Sequence, residues 1–125
     1  MPYQTTWEAS GVCQKFWGVV TSPELFDSLT DTHDDPRFDS LHYVIKDYLE
    51  VTVFDVGVKT LLEGLALNTV SKRTNPHVVV AIVTTNLQII ESSKAASSYN
   101  FDTYPRKIFP TVAEAREWIK ATATK

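Results

Sequence analysis

Apolar positions along the chain change period several times, and each change marks an element. From Tyr3 to Ala9 they alternate, with Tyr3, Thr5, Trp7 and Ala9 on one side, the period of a strand. Ser10-Gly11 supplies a turn and Val12 to Thr21 resumes as a second strand, so the chain opens on a hairpin. Ser22-Pro23-Glu24 then reads as a helix start. The serine can cap free amides, the proline suits the first helical position, and the acid suits the dipole. Leu25, Phe26 and Leu29 form the inward stripe, and Asp34-Asp35-Pro36 ends the helix near His33. Leu41 to Tyr48 is the third strand.

Helical spacing returns from Asp55 to Lys72, where Val58, Leu61, Leu62, Leu65 and Thr69 share a face and Asp55 is the expected N-cap. Gly64, which costs about 1 kcal/mol against alanine inside a helix, is expected to permit close packing. Asn75-Pro76 breaks the chain before His77 to Thr84. The run Val78 to Val83 has no polar alternation and reads as a strand buried on both faces. Asn86 can cap a weaker helix reaching about Tyr99, apolar at Leu87, Ile89 and Ile90 and small or polar beyond. Arg106 to Phe109 is a short strand. Thr111-Val112-Ala113-Glu114 is a capping box that opens the last helix, with Val112, Ala115 and Ile119 inward and Trp118 beside them. The order β-β-α-β-α-β-α-β-α predicts one α/β domain over residues 1–125. It is a single mixed, mostly parallel five-stranded sheet with four helices.

Composition narrows the function more than it identifies it. A chain of 125 residues can bury about two thirds of its unfolded surface, so it needs neither metal nor disulfide to fold. The net charge of −3 gives no basis for a nucleic-acid partner, and the densest basic pairs, Lys72-Arg73 and Arg106-Lys107, read as solvated element ends. The one cysteine, Cys13, lies among Val12, Phe16 and Trp17 and reads as a small hydrophobe in a strand. The first residues lack the charged and apolar regions of a signal peptide, and Val78 to Val83 is too short to span a membrane. A cytoplasmic protein is expected.

Catalytic and metal signatures are thin. His33-Asp34-Asp35 is the tightest His/Asp cluster, but it sits where a helix must end, an ordinary place for a solvated histidine. A zinc site would need further converging ligands. His42 and His77 have no neighbours in sequence to work with, and no glycine-rich phosphate loop or Gly-x-Ser-x-Gly elbow occurs. The expectation is a protein that is not an enzyme, with no catalytic residue, metal or cofactor.

Three segments nonetheless resemble one family. Val44 to Asp55 is similar to the strand-Asp-loop-Val-x-x-x-Asp passage of STAS-type domains, and Val80-Ala81-Ile82-Val83-Thr84 to their next central strand. Ile108 to Ile119 is similar to the closing strand and helix of the branch related to the stage-II-sporulation anti-sigma-factor antagonists. Asp35-Pro36-Arg37-Phe38 also fits that branch. The resemblance implies a STAS-like fold and a regulatory or protein-interaction role. In the antagonists the second helix opens with Asp-Ser-Ser-Gly, whose second serine is phosphorylated. Aligning Asp55 with that aspartate leaves Val56 and Gly57 at the serines, so no hydroxyl is present to take the charge, and Thr60 is a turn too late.

Two binding readings follow. The leading one is contact with an unidentified protein partner through Asp47, Tyr48, Asp55, Gly57 and Lys59, around the start of the second helix. The alternative draws on a likeness in fold between STAS-like and CRAL-TRIO lipid-transfer domains. It is a carrier or sensor of a small apolar or lipid-like ligand between helix 87–99 and the sheet, near Thr84, Thr85, Asn86, Ile89 and Ile90. Strand ends of parallel sheets gather helix N-termini and are natural docking edges. The plainer account of Asp55 and Asn86 is that each caps a helix and does nothing more. A homodimer through Trp7, Phe16 and Trp17 of the hairpin, and peripheral contact with a membrane surface, stay open.

Overall fold

A computed structural model describes residues 3–99 and 103–122. The strands are β1 (Tyr3–Trp7), β2 (Gly11–Thr21), β3 (Tyr43–Asp55), β4 (Val79–Val83) and β5 (Arg106–Phe109). The helices are α1 (Ser22–His33), α2 (Val58–Ser71), α3 (Leu87–Ser97) and α4 (Val112–Thr122), with a 3-10 turn at Pro36–Ser40. The sheet order is β1-β2-β3-β4-β5, antiparallel between β1 and β2 and parallel from β2 onward. Each parallel strand therefore lies beside its predecessor, and crossovers of one hand place every connecting helix on one face. Leu25 of α1, Leu61 of α2 and Ile89 of α3 accordingly pack with Val44, Val80 and Ile82 on that face. Among the described residues only α4 covers the other, where Ala115 and Ile119 meet Ile45, Val79, Ala81 and Phe109. Each residue of β4 is buried, as its unbroken apolar run requires.

Local chemistry sets the boundaries and moves some of them. The cap of α1 is Thr21, not Ser22: the Glu24 carboxylate accepts from the Thr21 amide at 3.0 Å and from its hydroxyl at 2.7 Å. Ser22 is freed to accept from the Gly57 amide at 2.9 Å, which ties the start of α1 to the start of α2. Strand β3 does not stop at Tyr48 but continues to Asp55, because residues 50–55 pair with residues 17–21 of β2. Asp55 is thus the last residue of a strand and does not cap α2. Gly57 holds that position. The extra length forms a two-stranded ribbon beyond the reach of β4, and the register shifts at Lys15/Trp17 and Gly18/Val19 curl it. Gly18, with φ of 66°, makes the second shift without strain.

Packing of α2 differs from the sequence pattern. Thr60, Gly64 and Leu65 are buried, Leu61 packs against the core, and Val58 is half exposed at 51%. A Cβ on Gly64 would stand 3.1 Å from Leu29 Cδ1, so α1 and α2 approach through this glycine. In the hairpin, Phe16 is fully buried and Trp7 packs against the core with the Arg37 guanidinium 4.2 Å over its ring. Trp17 alone of the three is exposed. Half of the expected box of α4 is present: the Thr111 hydroxyl accepts from the Glu114 amide at 3.2 Å, and the Glu114 carboxylate accepts from that hydroxyl at 3.0 Å.

Candidate functional site

The core on the α1–α3 face is not completely filled. A cavity of about 70 Å³ lies between the helices and the sheet. Its apolar walls come from Leu25 and Leu29 of α1, Leu61 and Leu65 of α2, and Val80 and Ile82 of β4. Ala96 of α3 closes one side, and Gly64, having no side chain, leaves room on another. Two smaller spaces continue it. One of about 20 Å³ runs toward His33, Phe38 and Tyr104, and one of about 30 Å³ toward Phe54, Ile89 and Ser92. Beyond Arg106 a surface groove of about 430 Å³ opens between α3 and β5.

Strand alternation decides which polar groups enter this space. Val44 and Tyr48 of β3 face the helices, so Lys46 between them does too, while Ile45 faces α4. On β5 the same alternation sends Arg106 and Ile108 to the helical face and Phe109 to the other. Lys46 pairs in register with Ile82, and Arg106 with Val80, so two cations flank the middle of β4. Lys46 is half-buried, and it lines both the main cavity and the smaller space toward His33. Burial, and then the nearby Arg106 charge, pull its pKa down to about 8. Burial also lowers the Arg106 pKa, partly offset by Tyr48, while burial raises that of the Tyr48 hydroxyl.

Hydrogen bonding leaves both cations under-satisfied. Lys46 Nζ donates to Gln14 Oε1 at a long 3.3 Å and lies 5.8 Å from the Phe16 ring centroid. Arg106 Nη2 donates to Ser93 Oγ at 3.0 Å, and its Nε is buried without a partner. Among the described residues neither cation is ion-paired. His33, expected to be solvated, instead bridges α1 and α2. Its Nδ1 lies 2.8 Å from the Leu29 carbonyl oxygen, its Nε2 lies 3.0 Å from Asn68 Oδ1, and its ring stacks on Phe38 at 4.5 Å. Burial lowers its pKa, partly offset by the hydrogen bonds to Leu29 and Asn68.

The structure distributes the sequence-derived candidates over three places. Tyr48 lines the main cavity, and Ile89 lines its smaller continuation with Leu61. Ile90 is half-buried and lines neither. Thr84 is buried and its hydroxyl accepts from the Asn86 amide at 3.0 Å, while Asn86 accepts from the Gln88 and Ile89 amides as a helix cap. Thr85 is exposed beside it. Asp47 accepts from the Leu49 amide at 3.0 Å, and Asp55, Gly57 and Lys59 lie exposed where the ribbon meets α2. Lys46 and Arg106 were missed, and Arg106 is no solvated strand end. The legible signal was a lysine on the inward side of a central parallel strand, a position that rarely carries charge. Among the described residues no three His, Cys, Asp or Glu side chains are placed to hold a metal ion. No helix among them is long and apolar enough to cross a membrane.

This arrangement, a sheet in sequential order with three described helices on one face and one on the other, is a SpoIIAA-like fold. A solved structure with that fold, an uncharacterized protein of the DUF3478 family from Shewanella loihica PV-4, superimposes with a TM-score of 0.58 at 13% sequence identity. The match covers 94% of this chain and 91% of that one. No protein-family model matches the sequence, and no curated protein matches it.

Proposed function

We propose that this chain is a non-enzymatic STAS-like binding module that takes a small ligand between its three-helix layer and the sheet. The carrying observation is the 70 Å³ cavity in the middle of the main core, with its two continuations and its groove at α3. Protein interiors are packed to crystal-like density, so a void this size lined partly by polar groups is a place for a guest. Tyr48 and Ile89 belong to this reading. The Thr84–Asn86 turn anchors the start of α3, the helix that separates cavity from groove. Native mass spectrometry of freshly purified protein tests it. A mass above that of the chain, lost on denaturation, supports a carried ligand. A chain that stays bare after incubation with small amphiphiles counts against it.

A second reading rests on a separate feature. The ribbon exposes Trp17, Val19, Leu49 and Val53, and Val58 continues this apolar surface at the start of α2. Clustered exposed apolar side chains suit a protein contact, and Asp47, Asp55, Gly57 and Lys59 would border it. Such a contact operates without a phosphoserine switch, since Val56 and Gly57 carry no hydroxyl. Paired serine substitutions at Trp17 and Val53 that abolish capture of a partner, with the fold intact, would support this contact.

A further inference from the structure

Among the described residues, the ion pairs in view lie at the surface: Lys15 with Glu50, Arg37 with Asp35, Arg116 with Glu8. Pairing there contributes little, because water already solvates both charges. The two cations deepest in the helix–sheet core, where a counter-charge matters most, have none among the described residues. Scarcity of acids is not the reason, since 15 Asp and Glu stand against 12 Lys and Arg. No Asp or Glu lines the cavity, either continuation or the groove. Lys94 at the groove extends the same sign of charge outward, beside the hydroxyls of Ser97 and Ser98.

Three donors converge on this space with capacity to spare. An ammonium has three N–H groups and Lys46 places one, at long range, on Gln14. Arg106 has five and leaves its buried Nε without a partner. Tyr48, which carries a hydroxyl, lines both the main cavity and the inner continuation, as Arg106 does. Buried polar groups without partners are costly, and persist where something else completes them. The remaining walls are leucine, valine and isoleucine, which offer an acid no contact but suit a hydrocarbon. Resting on the ligand-binding reading above, we infer that the guest is an organic anion. It carries one acidic group, a carboxylate or phosphate monoester, held between Lys46 and Arg106, on a short apolar body lying against Leu25, Leu29, Leu61 and Leu65. The body is a short, narrow chain, because the main cavity is smaller than the roughly 150 Å³ that accommodates benzene and a hexyl group fits only by reaching into the continuations of about 20 and 30 Å³. Arg106, shared by cavity and groove, is the threshold that the acid passes.

Isothermal titration of the full chain at neutral pH with hexanoate, hexyl phosphate, hexanol and inorganic phosphate tests this inference. Charge-assisted hydrogen bonds to two cations should make at least one hexyl anion bind roughly ten- to a hundredfold tighter than hexanol. The tighter of the two anions identifies the acid. Lys46→Met and Arg106→Gln should each reduce that preference, and hexanol binding by the variants shows that the cavity survives. Hexanol binding as tightly as both anions would overturn the anion inference and leave the cavity reading standing. Inorganic phosphate binding as tightly as hexyl phosphate would overturn the apolar half. Binding of none of the four would remove the cavity reading itself.

Discussion

A lysine whose ammonium is buried beside Gln14 and the Phe16 ring destabilises the folded chain whenever it is charged and without a ligand. Replacing it with methionine, similar in length and apolar, should stabilise the ligand-free protein at neutral pH by about 1–3 kcal/mol in a urea melt. The pH dependence follows from the same shift. With a folded pKa of about 8 against 10.5, the unfolded chain holds the extra proton between those values, so stability should rise with pH across that window. The facing groups are Arg106 from β5, His33 from α1, Tyr48 on its own strand and Tyr104 across the smaller space. Their contributions are shared by wild type and Lys46→Met, so the difference between the two melts isolates the lysine. That difference should shrink between pH 8 and 10.5, and a constant difference would contradict a buried charge. Lys46 was readable from the alternation Val44, Lys46, Tyr48. Arg106 was not, because nothing in a four-residue edge strand says which side is covered.

Helix α3 buries only Ile89, Ser93 and Ala96 among its described residues, whereas β4 is buried throughout. A helix held at so few points opens at small cost, which suits the wall between cavity and groove. Amide hydrogen exchange should show α3 exchanging orders of magnitude faster than β4, and slowing when hexanoate binds. Equal protection of the two elements would contradict a movable wall. The weakness of α3 was legible in its polar second half, and its Asn86 cap and the Thr111 cap of α4 were legible in local chemistry. Elements set by distant partners were not. β3 extends to Asp55 because β2 runs beside it, and α2 presents Thr60, Gly64 and Leu65 inward because Leu29 of α1 needs the space at Gly64. A sequence window around either segment contains neither partner.

Sequential strand order gives the molecule its division of labour. With α1, α2 and α3 on one face, adjoining helices do not diverge around a crevice at the strand ends, and the usable space lies beneath them instead. The other face, closed by α4, is fastened by Arg116 to Glu8 at 2.8 Å, with the Tyr43 hydroxyl donating to the same carboxylate. The order of elements, and with it the STAS-like architecture, was readable because alternating strands and helices leave few topologies. The site was readable only in part: Tyr48 and Ile89 were among the candidates, whereas Arg106 comes to it through packing that a linear pattern does not encode. The measurement that bears most directly on ligand binding beneath the helices is a methyl NMR titration of the full chain with hexanoate. Methyls of Leu25, Leu29, Leu61, Leu65, Val80 and Ile82 should shift together, while Val19 and Val53 of the exposed ribbon stay in place. Shifts confined to the ribbon, or none at all, would contradict a guest held between helices and sheet.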